Sequence, residues 1–298
     1  MTAITDLLNR HWPQWQDWIA ITRLDKPVGS YLLLWPTLWA LWVAAEGRPD
    51  FALVVIFILG VFLMRSAGCV INDFADRKVD GHVKRTADRP LATGRLTSRQ
   101  ALTGFGILVG LSFLLVLLTN TFTVLLSFGG LFLAALYPFM KRHTHLPQVF
   151  LGAAFSWAIP MAFAAQSNEV PAVAWLLYAA NLSWTVAYDT MYAMVDRDDD
   201  LQIGVKSTAI LFADLDIFMI GVLQGIAVFC LLSAGSQLAL SWPFWLALSA
   251  GSLFFAWQLW SIRSRGREEC FTAFRQSHWF GLIIWIGILV HYLLAQFS

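Results

Sequence analysis

Two clusters of acidic residues carry the pattern in this sequence that is most suggestive of chemistry. Asn72, Asp76 and Asp80 form the first cluster. Asp196 and Asp200 form the second. The members of each cluster recur at every fourth position, so they share one face of a helix. Each cluster follows a long apolar segment, which predicts that both lie at a helix C-terminus. A helix C-terminus carries partial negative charge, and like charges at this spacing repel, so each cluster needs a cation.

A divalent metal ion is the cation that these side chains suit. Carboxylate and amide oxygens without His or Cys favour Mg²⁺, which leaves coordination positions for water and phosphate oxygens. Two facing clusters therefore predict a diphosphate held by two or more metal ions. The simpler interpretation, solvated carboxylates that balance nearby Lys and Arg, is weakened because the spacing occurs twice. The predicted metal ligands are Asn72, Asp76, Asp80, Asp196 and Asp200.

Arg65 and Asp189 stand at equivalent positions relative to the two acidic clusters. Arg65 precedes Asn72 by the same number of residues as Asp189 precedes Asp196. The two side chains are therefore expected at one depth on facing helices. Ionisable residues within membrane segments usually face the interior and pair, or else serve function. Two interpretations stay open, namely a buried ion pair or a small polar acceptor bound between them. The predicted catalytic residues are Arg65, Asp76, Asp80, Asp189 and Asp196.

Basic residues near the clusters are candidates for binding phosphate oxygens. Arg binds these oxygens through two donors, and Lys offers a point charge. The polar segment after the first cluster contains Pro90 and Gly94, which predict turns that would let it close over a ligand. The alternative is that these residues are ordinary positive charge on one side of a membrane. The predicted diphosphate-binding residues are Lys84, Arg89, Tyr137, Lys141, Arg142 and Lys206.

The elements that must position these residues are membrane helices. Hydrophobic residues make up 58% of the 298 residues and charged residues 13%, against about 25% charged residues in typical soluble proteins. This composition excludes a soluble enzyme, a disordered chain and a disulfide scaffold, and the three cysteines show no spacing typical of paired thiols. The net charge of +1 gives no field that would attract nucleic acid.

Nine apolar segments are long enough to cross the hydrocarbon core of a bilayer, which needs about 20 residues per helix. Because a helix satisfies its own backbone hydrogen bonds in lipid, the predicted class is an all-α polytopic membrane protein. We expect one domain over residues 1–298, with a central cavity open to the cytoplasmic side. The predicted spans are 27–45, 51–71, 101–119, 121–138, 148–166, 171–194, 217–235, 242–261 and 277–296.

The distribution of Lys and Arg predicts the orientation. With a cytoplasmic N-terminus, 18 of the 20 basic residues lie on the inner side, and the exceptions are Arg48 and Arg65. The C-terminus is then outside and the acidic clusters face the cytoplasm of a bacterial-type cell inner membrane. Residues 4–22 carry three regularly spaced Trp residues, which predicts an interfacial helix.

The two clusters resemble the two signatures of the UbiA superfamily of intramembrane aromatic prenyltransferases. The first signature is similar to Asn72-Asp73-xx-Asp76-xxx-Asp80 followed by Arg85-Thr86-xx-Arg89-Pro90. The second is similar to Tyr188-Asp189-Thr190-x-Tyr192-Ala193-xx-Asp196-xx-Asp199-Asp200. Within the superfamily, four stretches resemble the branch that prenylates 4-hydroxybenzoate in ubiquinone biosynthesis. They are Asp25-Lys26-Pro27-Val28-Gly29, Trp35-Pro36-Thr37-Leu38-Trp39, Tyr137-Pro138-Phe139-Met140-Lys141-Arg142 and Ile203-Gly204-Val205-Lys206-Ser207-Thr208.

The resemblance implies Mg²⁺-dependent transfer of a polyprenyl chain from its diphosphate to the ring carbon beside the phenol hydroxyl, with release of diphosphate. It implies that the clusters hold Mg²⁺ on the diphosphate, that Arg65 holds the benzoate carboxylate, and that Asp189 orients or deprotonates the phenol. The expected partners are the two substrates and the lipid bilayer, with neither nucleic acid nor an obligatory protein.

Three other functions are weighed against this one. Another superfamily member would prenylate haem or a menaquinone or chlorophyll precursor, and a panel of acceptors separates these. A cation-coupled transporter would place its acidic site at the membrane midplane, whereas these clusters lie at the inner boundary. A CDP-alcohol phosphotransferase would carry a DGxxAR signature, which the sequence lacks.

Overall fold

A computed structural model describes residues 3–82 and 85–296 of the chain. Within these residues the secondary structure is helical and contains no strand, which confirms the predicted all-α class. Two short 3-10 turns interrupt the α-helices at Asp80–His82 and Ala213–Leu215. The α-helices are α1 (Ala3–His11), α2 (Trp15–Thr22), α3 (Val28–Ala44), α4 (Phe51–Asp76), α5 (Ser98–Val116), α6 (Thr121–Met140), α7 (Pro147–Ser156), α8 (Ala158–Ser167), α9 (Ala172–Ile203), α10 (Thr208–Phe212), α11 (Asp216–Gln237), α12 (Trp242–Ser261), α13 (Arg267–Gln276) and α14 (His278–Ala295).

Helical segments long and apolar enough to cross a membrane recur along the described chain, which makes it a multi-pass membrane protein. Length and composition identify six of them: 51–76, 98–116, 121–140, 147–167, 208–237 and 267–295. Helix α3 is also apolar but has 17 residues. Each of the nine predicted spans coincides with one helix or, for 148–166, with a pair. The count of nine transmembrane helices stays a prediction.

Two proline residues divide helices that the sequence pattern predicts as continuous. The predicted span 148–166 is two helices, α7 and α8, joined at Trp157. Pro160 has no N–H to donate to the carbonyl of Ser156, which weakens the helix at this joint. The predicted helix over residues 4–22 is likewise divided into α1 and α2 around Pro13.

Helix α2 packs on the bundle. Its Ile21 is buried with Val70 of α4 and Ala101 of α5. The loop that follows the first acidic cluster contributes Leu96 to the same hydrophobic cluster. This contact fixes the segment just before α3 against the helix that carries the first acidic cluster.

The acidic clusters lie at one end of the bundle, where α4 and α9 terminate, and we call this the polar end. Here side chains and backbone groups join segments far apart in sequence, through Arg95 with Asp17, Lys206 with Lys141 and Arg267 with Asp198. At the opposite end of the bundle, hydrogen bonds of Asn120 with Ala164 and of Ser241 with His291 join segments that are distant in sequence. Helix α9 ends at Ile203 and is followed by Gly204, whose φ of 73° gives the left-handed conformation common after helices.

Aromatic packing fixes α9 relative to α3 and α14. The rings of Trp39 and Trp184 stack with centroids 5.9 Å apart, and Phe280 lies 5.2 Å from Trp184. The indole N–H of Trp39 donates to the carbonyl of Gly281 at 2.9 Å, so this buried polar group is satisfied. Because α9 carries Asp189 and the second acidic cluster, this core sets the position of both.

Candidate active site

Two cavities meet between α4 and α9. The larger, of about 1110 Å³, extends from Arg23 and Lys26 at the polar end to Thr119 and Thr123 at the opposite end. The smaller, of about 140 Å³, lies at the polar end. The residues that line both cavities, and therefore mark their junction, are Asn72, Arg85, Arg89, Tyr137, Asp189 and Tyr192.

The smaller cavity brings the two acidic clusters together. Helix α4 presents Asn72 and Asp76, and the turn that follows it presents Asp80. The C-terminal part of α9 presents Asp196 and Asp200 from the other side. All five predicted metal ligands therefore line one small space. The fourfold spacing places Asn72 with Asp76 on one face of α4, and Asp196 with Asp200 on one face of α9. The predicted shared helix face is wrong for Asp80, because α4 ends at Asp76 and Asp80 reaches the cavity from the 3-10 turn.

Basic side chains from other elements pair with the clusters. Lys141, at the end of α6, forms an ion pair with Asp76. Nε of Arg85 donates to Oδ1 and Oδ2 of Asp196 at 3.0 and 3.1 Å. Each ion pair thus joins two different elements, and the wall of the smaller cavity contains both acidic and basic side chains.

Arg89 joins two carboxylates of the first signature. Its Nη1 lies 2.9 Å from Oδ1 of Asp73 and 3.0 Å from Oδ2 of Asp80. Asp73, with 1% of its side chain exposed, also pairs with Arg23 at 2.9 Å. This network fixes the segment after α4 to the segment before α3.

Two carboxylates of the smaller cavity have a negative charge or a hydrogen-bond acceptor that the described residues do not fully satisfy. Burial, together with the neighbouring Asp196 carboxylate, raises the pKa of Asp200 to about 7. Asp200 lies beyond the predicted span 171–194. Oδ1 of Asp76 is buried and has no hydrogen-bond partner among the described residues. An additional cation would satisfy both groups.

The donor set of the smaller cavity fits a divalent cation shared with a phosphate ligand. Its candidate ligands are carboxylate and amide oxygens, which suit Mg²⁺. Among residues 3–82 and 85–296, no three His, Cys, Asp or Glu side chains stand close enough to hold one ion by themselves. Because Mg²⁺ commonly takes one or two protein carboxylates plus phosphate and water, this arrangement does not conflict with a metal carried by a diphosphate.

Arg65 and Asp189 line the larger cavity, and Asp189 lies at the junction as well. No ion pair within 4.0 Å joins them in the described structure, so a direct buried ion pair is wrong. Nη1 of Arg65 instead donates to Sγ of Cys69 at 2.8 Å, while its buried Nε has no partner among the described residues. The guanidinium also lies 5.8 Å from the ring centroid of Phe155. A buried guanidinium without a carboxylate calls for an anion from elsewhere.

Comparison with known proteins decides the family. The sequence model of the UbiA prenyltransferase family matches residues 33–285. This chain belongs to the UbiA prenyltransferase family. Its curated relatives in the family include the 4-hydroxybenzoate octaprenyltransferase of Pseudomonas syringae pv. syringae (strain B728a), which is 62% identical over 285 residues that cover 96% of each chain. The protein of the same name from Pseudomonas fluorescens (strain SBW25) is 60% identical over 285 residues, again 96% of each chain.

Solved structures of UbiA homologues share the fold. An apo structure from Aeropyrum pernix K1 superimposes with a TM-score of 0.77 at 24% identity, covering 87% of this chain and 97% of that one. A homologue from Archaeoglobus fulgidus bound to GPP and Mg²⁺ gives a TM-score of 0.71 at 17% identity, covering 92% and 99%. The UbiA family fold is therefore confirmed for this chain.

The remaining predicted residues of this UbiA-family chain occupy different places. Tyr137 lines both cavities, and Lys206 lines the smaller one. Arg142 lines neither, because it turns to the backbone and donates to the carbonyl of Ala75 at the end of α4. Lys84 lies outside the described residues. Arg142 therefore supports the end of α4 in this structure.

Two residues at the junction of the cavities, Arg85 and Tyr192, were not in the predicted set of site residues. Arg85 pairs with Asp196 and lies over the ring of Tyr192, with its Cζ 4.5 Å from the centroid. Tyr192 in turn stacks on Phe274 of α13 at 4.4 Å. Both residues stand in the signature motifs, which was the available signal, but the stacking partner comes from a distant part of the chain.

Proposed function

We propose that this UbiA-family enzyme transfers a polyprenyl chain from its diphosphate to 4-hydroxybenzoate in ubiquinone biosynthesis. The new bond forms at the ring carbon ortho to the hydroxyl. The curated relatives share about three-fifths of their residues with this chain over nearly its whole length and carry the name of this activity. Their name makes octaprenyl diphosphate the first donor to test.

The observation that carries the proposal is the junction of the two cavities at Asp189. On one side lies a small polar cavity with acidic and basic walls, which suits a diphosphate with metal ions. On the other side lies a large cavity, lined mainly by apolar residues of α4, α5 and α6, which suits a prenyl chain. The carbon that leaves the diphosphate would therefore stand beside Asp189, where the acceptor must also lie.

The diphosphate-binding part of the proposal uses the residues of the smaller cavity. Asn72, Asp76, Asp80, Asp196 and Asp200 would hold Mg²⁺, which when bound neutralises charge that develops on the leaving diphosphate. Arg85, Arg89 and Lys141 pair with the carboxylates in this structure, and they would exchange those partners for phosphate oxygens. Lys206 would add a further charge at the same wall. Lys84 and Arg142 stay predictions for this role.

The acceptor part of the proposal uses Arg65 and Asp189. The unpaired guanidinium of Arg65 would bind the carboxylate of 4-hydroxybenzoate, with the ring directed towards the junction. Asp189 would accept a hydrogen bond or the proton from the phenol hydroxyl, which raises electron density at the ortho carbon. The C–O bond to the diphosphate breaks with its electron pair on oxygen, the C–C bond forms, and the ring then loses its proton. An apolar cavity protects the allylic cation from water.

The proposal includes an orientation in the membrane. The excess of Lys and Arg at the polar end supports a cytoplasmic N-terminus, an external C-terminus and an active site that faces the cytoplasm of the inner membrane. The smaller cavity lies at that end, so a water-soluble diphosphate product would leave to the cytoplasm. Cysteine accessibility labelling at positions beside Arg99 and Asn168 in whole cells tests this orientation.

One assay tests the function. Membranes that contain the protein are incubated with ring-labelled 4-hydroxybenzoate, octaprenyl diphosphate and MgCl₂, and the lipid-extractable label is measured. We expect label that depends on the diphosphate, disappears with EDTA, and is lost in Asp76→Asn but kept in Asp198→Asn, whose side chain is 73% exposed. Absence of product from a folded enzyme that still binds octaprenyl diphosphate with Mg²⁺ would move the acceptor to another compound.

A further inference from the structure

The guanidinium of Arg65 lies in a space that exists because residue 29 has no side chain. We propose that Gly29 and Cys69 are positioning residues that hold Arg65 in the orientation needed for the carboxylate of the acceptor. This inference rests on the proposed function of Arg65 in binding 4-hydroxybenzoate. It assigns a role to Gly29, which stands in the stretch Asp25-Lys26-Pro27-Val28-Gly29 and has no place in the diphosphate site.

The fit between Gly29 and Arg65 is close. A Cβ added at Gly29 would lie 2.7 Å from Cζ of Arg65 and nearer still to Nε and Nη2. Carbon atoms do not approach to this distance without displacement, so any larger residue would push the guanidinium away. Gly29 lies in the first turn of α3 and is buried. Its φ is not in the left-handed region, so the backbone itself does not require glycine here.

Cys69 fixes the other side of the guanidinium. Arg65 and Cys69 are one turn apart on α4, and Nη1 donates to Sγ at 2.8 Å. The ring of Phe155 on α7 gives a third contact through its π face. Gly29, Arg65, Cys69 and Phe155 all line the larger cavity. Three contacts from three helices therefore restrict a side chain that is otherwise flexible.

We call Gly29, Cys69 and Phe155, which contact the guanidinium of Arg65, the cradle. The unsatisfied Nε of Arg65 indicates that the cradle does not serve stability alone. Nε of Arg65 is buried and has no partner among the described residues, although Nη1 of the same guanidinium donates to Cys69. A purely structural arginine would be expected to pair with a carboxylate, because a buried unpaired charge is costly. The cradle thus holds the guanidinium in place without neutralising it, which leaves its charge for a bound anion.

The principal test is Gly29→Ala in the purified enzyme, with separate kinetics for each substrate. We expect KM for 4-hydroxybenzoate to rise about tenfold or more, the cost of one weakened hydrogen bond to a charged group. KM for octaprenyl diphosphate should stay within about twofold. Gly225→Ala is the matched control, because Gly225 is an exposed helical glycine of α11 with no atom within 4 Å of an added Cβ. Equal changes in both KM values would overturn the proposal.

Acceptor selectivity separates positioning from general damage. The ratio of kcat/KM for 4-hydroxybenzoate to that for the neutral 4-hydroxybenzamide measures how strongly the carboxylate is recognised. We expect this ratio to fall in Gly29→Ala and in Cys69→Ala, and to be largely restored in Cys69→Ser, which keeps a hydrogen-bond acceptor. An unchanged ratio in both Gly29→Ala and Cys69→Ala would overturn the proposal even if overall activity falls.

A double variant shows whether Gly29 acts through Arg65. In the Arg65→Ala background the added methyl group has no guanidinium to displace, so Gly29→Ala should have no further effect on KM for 4-hydroxybenzoate. A further rise in that background would mean that residue 29 touches the substrate directly, which overturns the positioning role. If Arg65→Ala itself leaves this KM unchanged, the proposed function of Arg65 is wrong and the present inference falls with it. If only Gly29→Ala is without effect, the function of Arg65 stands and the cradle does not.

Discussion

Arg85 and Asp196 form a hydrogen-bonded ion pair, with Nε of Arg85 3.0 Å from Oδ1 of Asp196 and 3.1 Å from Oδ2. The pair joins the segment after the first acidic cluster to the helix that carries the second. Because Asp196 is a predicted metal ligand, a metal ion can reach both of its oxygens only if this pair opens. Arg85 would then be released at the wall of the smaller cavity, where phosphate oxygens would be bound.

We therefore predict that Arg85→Gln raises KM for octaprenyl diphosphate about tenfold or more, the cost of one charge-assisted hydrogen bond. KM for 4-hydroxybenzoate should change little, because the acceptor is expected on the other side of the junction. Steady-state kinetics with each substrate varied in turn measures both values. Arg99→Gln, at an exposed arginine at the start of α5, is the control. A larger effect on the acceptor KM would place Arg85 in the acceptor site instead.

Asp189 gives a second prediction, which concerns the chemical step. Asp189→Asn should lower kcat about 100-fold or more, since a positioned general base typically contributes this factor. Binding of octaprenyl diphosphate should persist, because the smaller cavity keeps its five predicted metal ligands. Single-turnover measurement of product with enzyme in excess reports the chemical step. A change confined to KM, with kcat preserved, would show that Asp189 binds the acceptor without taking part in proton transfer.

Asp200 gives a third prediction, which concerns the proposed metal site. It takes part in no ion pair among the described residues, so Asp200→Asn removes a predicted ligand without breaking a contact. We expect the Mg²⁺ concentration for half-maximal activity to rise about tenfold, since Mg²⁺ is held by few carboxylates and each contributes strongly. Asp199→Asn, one residue away and outside both cavities, should leave the Mg²⁺ dependence unchanged. The same Mg²⁺ dependence in both variants would remove Asp200 from the ligand set.

The sequence predicts the residues that depend on local periodicity better than those that depend on long-range packing. Fourfold spacing at the end of two apolar segments was sufficient to expect Asn72 and Asp200 at one cavity, because helix geometry converts spacing into a shared face. The pairing of Arg85 with Asp196 was not predictable in this way, since it depends on how the loop after α4 folds across α9. Arg142 shows the same limit, because its turn towards Ala75 follows from packing of α6 on α4.

The helices likewise differ in how far the sequence alone predicts them. Apolar length was sufficient to place each predicted span on a helix or a helix pair, because membrane helices satisfy their own backbone, but it did not indicate the short helices α10 and α13. It did not reveal the joint between α7 and α8, since a proline such as Pro160 is tolerated in many membrane helices and divides only some. It also did not reveal why residue 29 is glycine, because the reason is the guanidinium of Arg65 on another helix. The spacing of residues in the sequence indicates which side chains share a face of one helix. A close fit between two helices depends on residues of both helices, which spacing alone does not indicate.

Asp216 gives the last prediction, which concerns stability. Its buried carboxylate, just before the predicted span 217–235, accepts hydrogen bonds from Arg265 at 3.0 and 3.1 Å and from Arg197. These hydrogen bonds from two guanidinium groups stabilise the ionised carboxylate, which would otherwise be a buried charge without compensation.

Asp216→Asn should therefore lower the free energy of unfolding by about 2 kcal/mol near neutral pH, the typical value of hydrogen bonds to a charged group. Thermal unfolding of the detergent-solubilised protein at pH 7 measures this loss, with the exposed Asp214→Asn as control. Arg197 directly follows Asp196 on α9, so its ion pair with Asp216 could also hold the second acidic cluster in place. A lower stability of Asp216→Asn together with a higher Mg²⁺ requirement for activity would show this. An unchanged thermal midpoint in Asp216→Asn would instead mean that the charge of Asp216 contributes little to stability.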